Sequence, residues 1–196
     1  MTLTPPTGSA PAAALERVRD RARAEGLLDV AYADVDSPLG PLLAARTRRG
    51  LVCLAYEDAH RDAWLERIAT RLSPRMLEAP ARLDDVRREL DEYFEHRRTT
   101  FDLPIDWSLV SPFGRKVLAA TASIPFGEIS TYAKVAAEAG NPKASRAAGN
   151  ALGANPMPIV VPCHRVLHTG GRGIGNYTGG VHRKEALLRL EGVLLG

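Results

Sequence analysis

Three prolines fall within the eight residues Asn155-Pro156-Met157-Pro158-Ile159-Val160-Val161-Pro162, and the run ends on Cys163-His164-Arg165. Proline has no backbone N–H and holds the residue before it extended, so a regular helix cannot pass through this segment. The expected form is a rigid, strand-like approach that delivers the thiol to a fixed place. Adjacent residues on such a strand face opposite ways, so His164 need not touch Cys163, and a water between them fits. A cysteine beside a histidine can be held as a thiolate, the nucleophilic form of sulfur.

An apolar content of 45% over 196 residues is enough for a packed core, in one domain or two small ones. No apolar run reaches the length of a membrane span and no charged-then-apolar leader is present, so a cytoplasmic protein with no membrane partner is expected. Cys53 lies amid Gly50-Leu51-Val52, surroundings unlike those of Cys163, which argues against a disulfide and leaves Cys163 free to react. Charge is unevenly spread. Residues 111–196 hold ten basic and four acidic side chains, including all four lysines, whereas residues 1–110 hold 16 and 19. A basic C-terminal half facing an acidic N-terminal one suits contact with a polyanion, because each neutralised phosphate releases counterions. A merely solvated basic face is the equal alternative on charge alone.

The pattern divides the chain into a flexible extension over 1–27 with a short helix within Ala12–Glu25, a scaffold over 28–108 and a C-terminal part over 109–196. Turn signals at Ser37-Pro38-Leu39-Gly40 and Arg48-Arg49-Gly50 separate three short apolar segments between Leu28 and Tyr56, predicting a β-meander. Trp64, Leu65, Ile68 and Leu72, then Leu83, Val86, Leu90 and Phe94, have helical spacing and predict two covering helices. Thr99–Ile105 adds a further candidate strand. Beyond Pro112, Phe113, Val117, Leu118 and Ala122 form a helical stripe that Ile124-Pro125-Phe126-Gly127 breaks. Ser130 or Thr131 can cap the next helix, which ends at Gly140. Asn141-Pro142 then restarts a helix from Lys143 to about Leu152, giving a helix-turn-helix candidate.

Taken without further comparison, these features describe a reactive cysteine beside a basic helix-turn-helix. Pro162-Cys163-His164-Arg165-Val166, Gly175-Asn176-Tyr177-Thr178-Gly179-Gly180, Lys184 and Leu187-Leu188-Arg189-Leu190-Glu191-Gly192 closely resemble the active-site region of O6-alkylguanine-DNA alkyltransferases, the methylated-DNA–protein-cysteine methyltransferase family. Upstream, Pro125-Phe126-Gly127-Glu128, Tyr132, Asn141-Pro142-Lys143-Ala144, Arg146 and Asn155-Pro156 extend the likeness. The resemblance implies an α/β fold: a small N-terminal sheet with covering helices, a ribonuclease H-like scaffold, then a mostly helical, winged helix-turn-helix-like domain for DNA binding and catalysis.

The same resemblance implies the roles. Cys163 accepts the alkyl group from guanine O6 as a thioether, which does not hydrolyse, so each molecule acts once. His164 takes the thiol proton through a water and Glu191 orients it. Asn155 ties the helix-turn-helix to the active-site segment, Lys184 sits near Cys163, and Tyr132 donates to the purine as the nucleotide rotates out. Arg146 fills the gap left in the stack. Lys143, Ala144, Ser145 and Arg165 join Tyr132 and Arg146 in DNA binding, with short side chains suited to the minor groove and to little sequence preference. Val161, Pro162, Cys163, Tyr177, Thr178 and Gly179 are expected to wall the base pocket. The implied partner is double-stranded DNA containing O6-alkylguanine, bound by a monomer without cofactor. Some relatives hold zinc in the N-terminal part, but only Cys53 and His60 precede His96 here, so no metal site is expected. Cys53 is expected in the core. Three rivals are a non-catalytic lesion-binding protein, which shows this pattern with the cysteine replaced, a helix-turn-helix regulator, for which Cys163 would be dispensable, and a cysteine hydrolase, which would turn over an ester or amide.

Overall fold

The computed structural model describes residues 28–56, 61–168 and 173–194, together with Arg17. The extension and the helix expected within Ala12–Glu25 lie outside the described residues, apart from Arg17. The expected meander forms as β1 (Val30–Val35), β2 (Leu42–Thr47) and β3 (Gly50–Tyr56), antiparallel in sequence, with Ala33 opposite Ala44 and Ala44 opposite Leu54. A fourth strand that no pattern announced, β4 (Met76–Glu78), pairs parallel to β1, so the sheet order is β3-β2-β1-β4.

Alternation along β3, broken at Val52 by a register shift against Ala45 and Arg46, sends side chains to two cores. Val52, Cys53 and Ala55 pack with Ile68 of α1 (Arg61–Arg71), whereas Leu54 and Tyr56 pack with Val86, Leu90 and Tyr93 of α2 (Asp84–Phe94). The second core continues without a break into the C-terminal helices α3 (Pro112–Ala122), α4 (Tyr132–Glu138) and α5 (Ser145–Gly153). Ser111 caps α3 by accepting from Gly114 N, and Thr131 caps α4 by accepting from Lys134 N, each satisfying a donor that the first turn leaves free. Gly140 turns α4 toward α5 at φ +85°, which suits glycine. A final helix, α6 (Val181–Leu190), closes the chain. Among the described residues no helix is long and apolar enough to cross a membrane.

Three expectations are corrected. Thr99–Ile105 is no strand; it makes a single bridge, Ile105 to Leu51, and is otherwise irregular. The helix after Asn141-Pro142 starts at Ser145 rather than Lys143, because Ala144 N is drawn back to Asn141 O in a turn of its own. The segment before Cys163 is not extended. Val161 N donates to Met157 O at 2.8 Å, Ile159 stands at φ +74°, and Cys163–Arg165 is one turn of 3-10 helix. Proline forbids a long helix but its fixed φ suits tight turns, and that outcome won.

Two sheet contacts fix this turn. Leu54 N, on the outer edge of β3, donates to Pro156 O at 2.7 Å. Beyond the turn, β6 (Val166–Leu167) pairs parallel with β5 (Ser130–Thr131), Thr131 opposite Leu167, which sets Tyr132 at the head of α4 beside the cysteine turn.

Candidate active site

The Cys163 thiol is 5% exposed and is reached from Asn155, itself wholly buried. Asn155 Nδ2 donates to Val161 O at 2.9 Å and to Cys163 Sγ at 3.2 Å, while Oδ1 accepts from Met157 N at 3.0 Å. One amide thus holds both ends of the proline-rich turn and touches the sulfur. Burial pushes the thiol up to about 11, against the Asn155 hydrogen bond and the charge of Lys184, which pull it down. The resting group is therefore a thiol. The thiolate expected from sequence is corrected, because desolvation outweighs both favourable neighbours.

Behind the thiol lies a closed ionic cluster. His164 Nε2 is 2.9 Å from Glu191 Oε1. A carboxylate can only accept, so Nε2 carries the hydrogen and Nδ1 the lone pair of the neutral ring. Burial lowers His164 below its ordinary value despite the pull of Glu191, which keeps it neutral, and Nδ1 has no hydrogen-bond partner among the described residues. Glu191 follows the last turn of α6 and accepts from Tyr93 Oη at 2.6 Å, from Arg165 Nε and Nη2 at 2.8 Å each, and from Gly127 N at 3.4 Å. Burial alone would raise this carboxyl, yet the bonds from His164, Arg165 and Tyr93 hold it at about 2. Lys184, also fully buried, donates from Nζ to Val166 O at 2.7 Å and Asn176 O at 3.4 Å; burial brings it down to about 8.

In front of the thiol is an open cavity of about 690 Å³ lined by Cys163, Tyr132, Ser145, Arg146, Gly149, Asn150, His168, Tyr177 and Thr178, among others. Burial and the neighbouring Cys163 raise the Tyr132 phenol, so it stays protonated and can donate. Tyr132 packs on His168 with ring centroids 5.0 Å apart. Gly175, at φ +77°, passes so close that a Cβ there would lie 2.7 Å from Tyr132 Oη. Tyr177 is tied to the scaffold by a 3.2 Å bond between its hydroxyl and that of Tyr56. Among the described residues no three His, Cys, Asp or Glu side chains gather to hold a metal ion.

Known proteins are similar to this chain. Residues 30–107 match the family described as 6-O-methylguanine DNA methyltransferase, ribonuclease-like domain, and residues 112–193 match its DNA binding domain. The chain belongs to this methyltransferase family. The methylated-DNA–protein-cysteine methyltransferase of Mycolicibacterium paratuberculosis is 40% identical over 167 residues, 83% of this chain and 92% of the relative. That of Methanosarcina acetivorans is 36% identical over 166 residues, 82% and 97% of the two chains. The crystal structure of Mycobacterium tuberculosis O6-methylguanine methyltransferase superposes with a TM-score of 0.72 at 33% identity, covering 85% of this chain and 95% of that one. The crystal structure of Mycobacterium tuberculosis OGT in complex with DNA superposes with a TM-score of 0.71, at 34% identity over 83% of this chain and 93% of that one.

Within the family frame, the residues expected at the reaction centre, Cys163, His164, Glu191, Asn155, Tyr132 and Lys184, lie together around the cysteine turn. Ser145 and Arg146 stand on the cavity rim, and Lys143 and Ala144 occupy the turn before α5. Four placements differ from expectation. Arg165 cannot meet DNA as it stands: it is 5% exposed, bidentate to Glu191 and bonded to Ile124 O. Val161, Pro162 and Gly179 do not line the cavity. The first two are buried beneath the turn, and Gly179 faces Tyr56, whose ring would lie 2.3 Å from a Cβ there. Sequence reasoning missed Tyr93, which sits three positions after Leu90 on the inner face of α2, and His168, two positions past Val166 on the cavity wall.

Proposed function

We propose that this protein repairs DNA by moving an alkyl group from guanine O6 onto Cys163, one group per molecule, with duplex DNA lying along the helix-turn-helix. The observation that carries the reading is the pairing, at one turn, of a thiol that lines an open cavity with a neutral histidine whose far nitrogen is fixed on a buried carboxylate. A protonated thiol in an apolar site is a poor nucleophile until a base takes its proton, and His164 Nδ1 is the lone pair available to do so, through a water. The S–C bond forms as the C–O6 bond breaks. The electron pair left on the purine is met by hydrogen bonding from the Tyr132 phenol, and the proton lost by the thiol to His164 is returned through water to the purine, so that guanine leaves neutral. The imidazolium formed at His164 is stabilised by Glu191, in the manner of a nucleophile, base and orienting acid. General base catalysis of this kind contributes about 10²–10⁴ in rate.

The alkyl carbon of O6-alkylguanine sits inside the duplex, out of reach of a thiol recessed beneath a cavity rim. The nucleotide must therefore leave the stack at a cost of a few kcal/mol, roughly, and Arg146 at the rim of α5 offsets part of it by filling the space. The short side chains Ala144, Ser145 and Ala147 suit minor-groove entry with little sequence reading. Mixing the protein with O6-methylguanine duplex and weighing it intact tests the reading. One methyl group should appear on Cys163 at one per chain, and none in Cys163→Ala. Repeated turnover, or folded protein left unmodified, sinks it. Arg146→Ala should slow repair of duplex while leaving the reaction with free O6-benzylguanine unchanged; equal loss on both removes the gap-filling role.

A further inference from the structure

We propose that an arginine-lined groove on the scaffold side of α5 is a second DNA contact, which takes phosphates of the duplex flanking the lesion; it rests on the reading that DNA lies along α5. Although residues 1–110 are acidic in total, four of their arginines line two clefts that share no lining residue with the Cys163 cavity. The first, about 390 Å³, lies between Arg67 and Arg71 of α1, Ser111 and Gly114 at the start of α3, and Ala151 and Ala154 at the end of α5. The second, about 470 Å³, meets it at Arg71 and Ser108 and runs on to Arg48 and Arg49 in the turn between β2 and β3.

Arg49 is paired with Asp106, but the charges of Arg67 and Arg71 are not neutralised by a described carboxylate. Arg67 is aimed by a bond from Nη2 to Leu109 O at 3.2 Å and by its position over the Trp64 ring, 4.7 Å from the centroid. Among the described residues no carboxylate lies within ion-pairing distance of Arg67 or Arg71. Two cations four apart on one helix repel, so the pair weakens α1 unless an anion joins it. The carboxylates nearby are already engaged. Asp29 is held by Arg75 and Ser73, and Asp106 is 3% exposed and bonded to Arg49, Thr47 and Ser108. The first turn of α3 adds the positive end of an eleven-residue helix.

A shared wall selects a duplex as the partner. Ser145, Arg146, Gly149 and Asn150 of α5 line the Cys163 cavity, and Ala151, at the end of the same helix, lines the groove with Ala154 just beyond it. A polyanion that follows α5 away from the cavity passes the groove mouth, where Ala151, Ala154 and Gly114 offer no side chain long enough to hold it off. Spaced guanidinium groups along a continuous cleft fit a chain of phosphates better than one small anion.

Salt dependence of binding to undamaged duplex tests this, using wild type, Arg67→Ala/Arg71→Ala and Arg67→Lys/Arg71→Lys. Two lost phosphate contacts reduce the slope of log affinity against log salt by about two, so over a fourfold rise in salt the wild type should lose about tenfold more affinity than the alanine pair. The lysine pair should keep the wild-type slope. Shortening the duplex on one flank should erase the difference, and shortening the other should not. Equal slopes in wild type and alanine pair overturn the proposal, as does a difference that survives both truncations or competition by inorganic phosphate that matches competition by duplex. Reaction of Cys163 with free O6-benzylguanine should be the same in all three proteins. Altered slopes with no alkyl on Cys163 would leave the groove standing and remove the chemistry, whereas equal slopes with normal alkylation would do the reverse.

Discussion

Cys53 and Cys163 are both buried and both free, yet only one has the surroundings of a nucleophile. Cys53 stands in β3 among Val30, Ala45, Val52 and Ile68, and burial drives its thiol up to about 12 with only distant Arg67 opposing. Cys163 suffers the same desolvation but meets an amide N–H of Asn155, the ammonium of Lys184 and a neutral imidazole next in the chain, and it borders an open cavity. Burial alone therefore does not separate a structural cysteine from a reactive one. The difference lies in polar groups placed where a developing thiolate would need them, together with a way in for the substrate. Removing such a group should let Cys163 drift toward the character of Cys53.

Removing the base should have the largest effect. His164→Gln should slow methyl transfer by about 10²–10⁴ while duplex affinity is retained. Glu191→Gln should lower the plateau less and also move the acid limb of the pH–rate profile. His164 is already held below its ordinary value, so its neutral form is complete at pH 7 and is lost only as pH falls through that lowered value. Glu191 pulls His164 upward, so the Gln variant should show an acid limb at still lower pH. A limb moved to higher pH would contradict the assignment. The fold should feel the same carboxyl. Glu191 sits at about 2 against an ordinary 4.5, so it stabilises the folded state fully above about 4.5 and loses that contribution as pH falls toward 2. Acid unfolding should be shallower in the Gln variant over that window.

Asn155→Ala comes next. It strands Met157 N in the interior, a loss of about 1–3 kcal/mol for a buried group left unpaired, leaves Val161 O with Cys163 N alone, and takes the side-chain N–H donor from the sulfur. Thermal melting should fall and methyl transfer should slow about tenfold at equal folded protein. A variant that melts early yet transfers at the wild-type rate would confine Asn155 to the turn.

How much of this could be read from the chain depends on how far apart the cooperating residues are. The meander, both covering helices and the helix-turn-helix follow from turn residues and apolar spacing within a dozen positions, and they form where the pattern placed them, except that the second helix of the helix-turn-helix begins two residues late, at Ser145. Met76–Glu78 escaped because a three-residue strand is defined by its partner β1, not by its own composition. Cys163, His164 and Asn155 lie close in sequence and could be singled out together. Glu191 stands out only through its family pattern, since a carboxylate after a helix is ordinarily solvated. Arg165 was misread because a cation beside the nucleophile suits DNA equally well, and only the fold shows Glu191 claiming it twice over. Tyr93 left no signal beyond a polar tip on an apolar stripe, as its partner is 98 positions away.

That long-range bond gives a smaller, sharper effect. Tyr93→Phe keeps the ring against Phe101 and Phe126 but removes one donor from Glu191, a charge-assisted bond worth about 1.5–3 kcal/mol. With one donor fewer the carboxylate is more basic and holds the His164 proton more firmly, so the acid limb should rise slightly as the rate changes only a few-fold. Loss of stability with an unmoved limb would make Tyr93 a structural bridge between the halves and nothing more.

Cys53→Ala should do least to the chemistry and is the control on which the comparison stands. Removing the sulfur of a buried Cys53 costs about 1 kcal/mol, an ordinary value for a single core substitution. Uptake of methyl should remain one per chain, with unchanged rate and pH profile, because no group around Cys53 is shared with the Cys163 turn except through the β3 edge that bonds Pro156. That edge is what gives the control its force. If a slightly relaxed β3 were enough to alter transfer, the position of Leu54 against Pro156 would be setting the nucleophile, and the two cysteines would be linked by one strand instead of standing as independent cases.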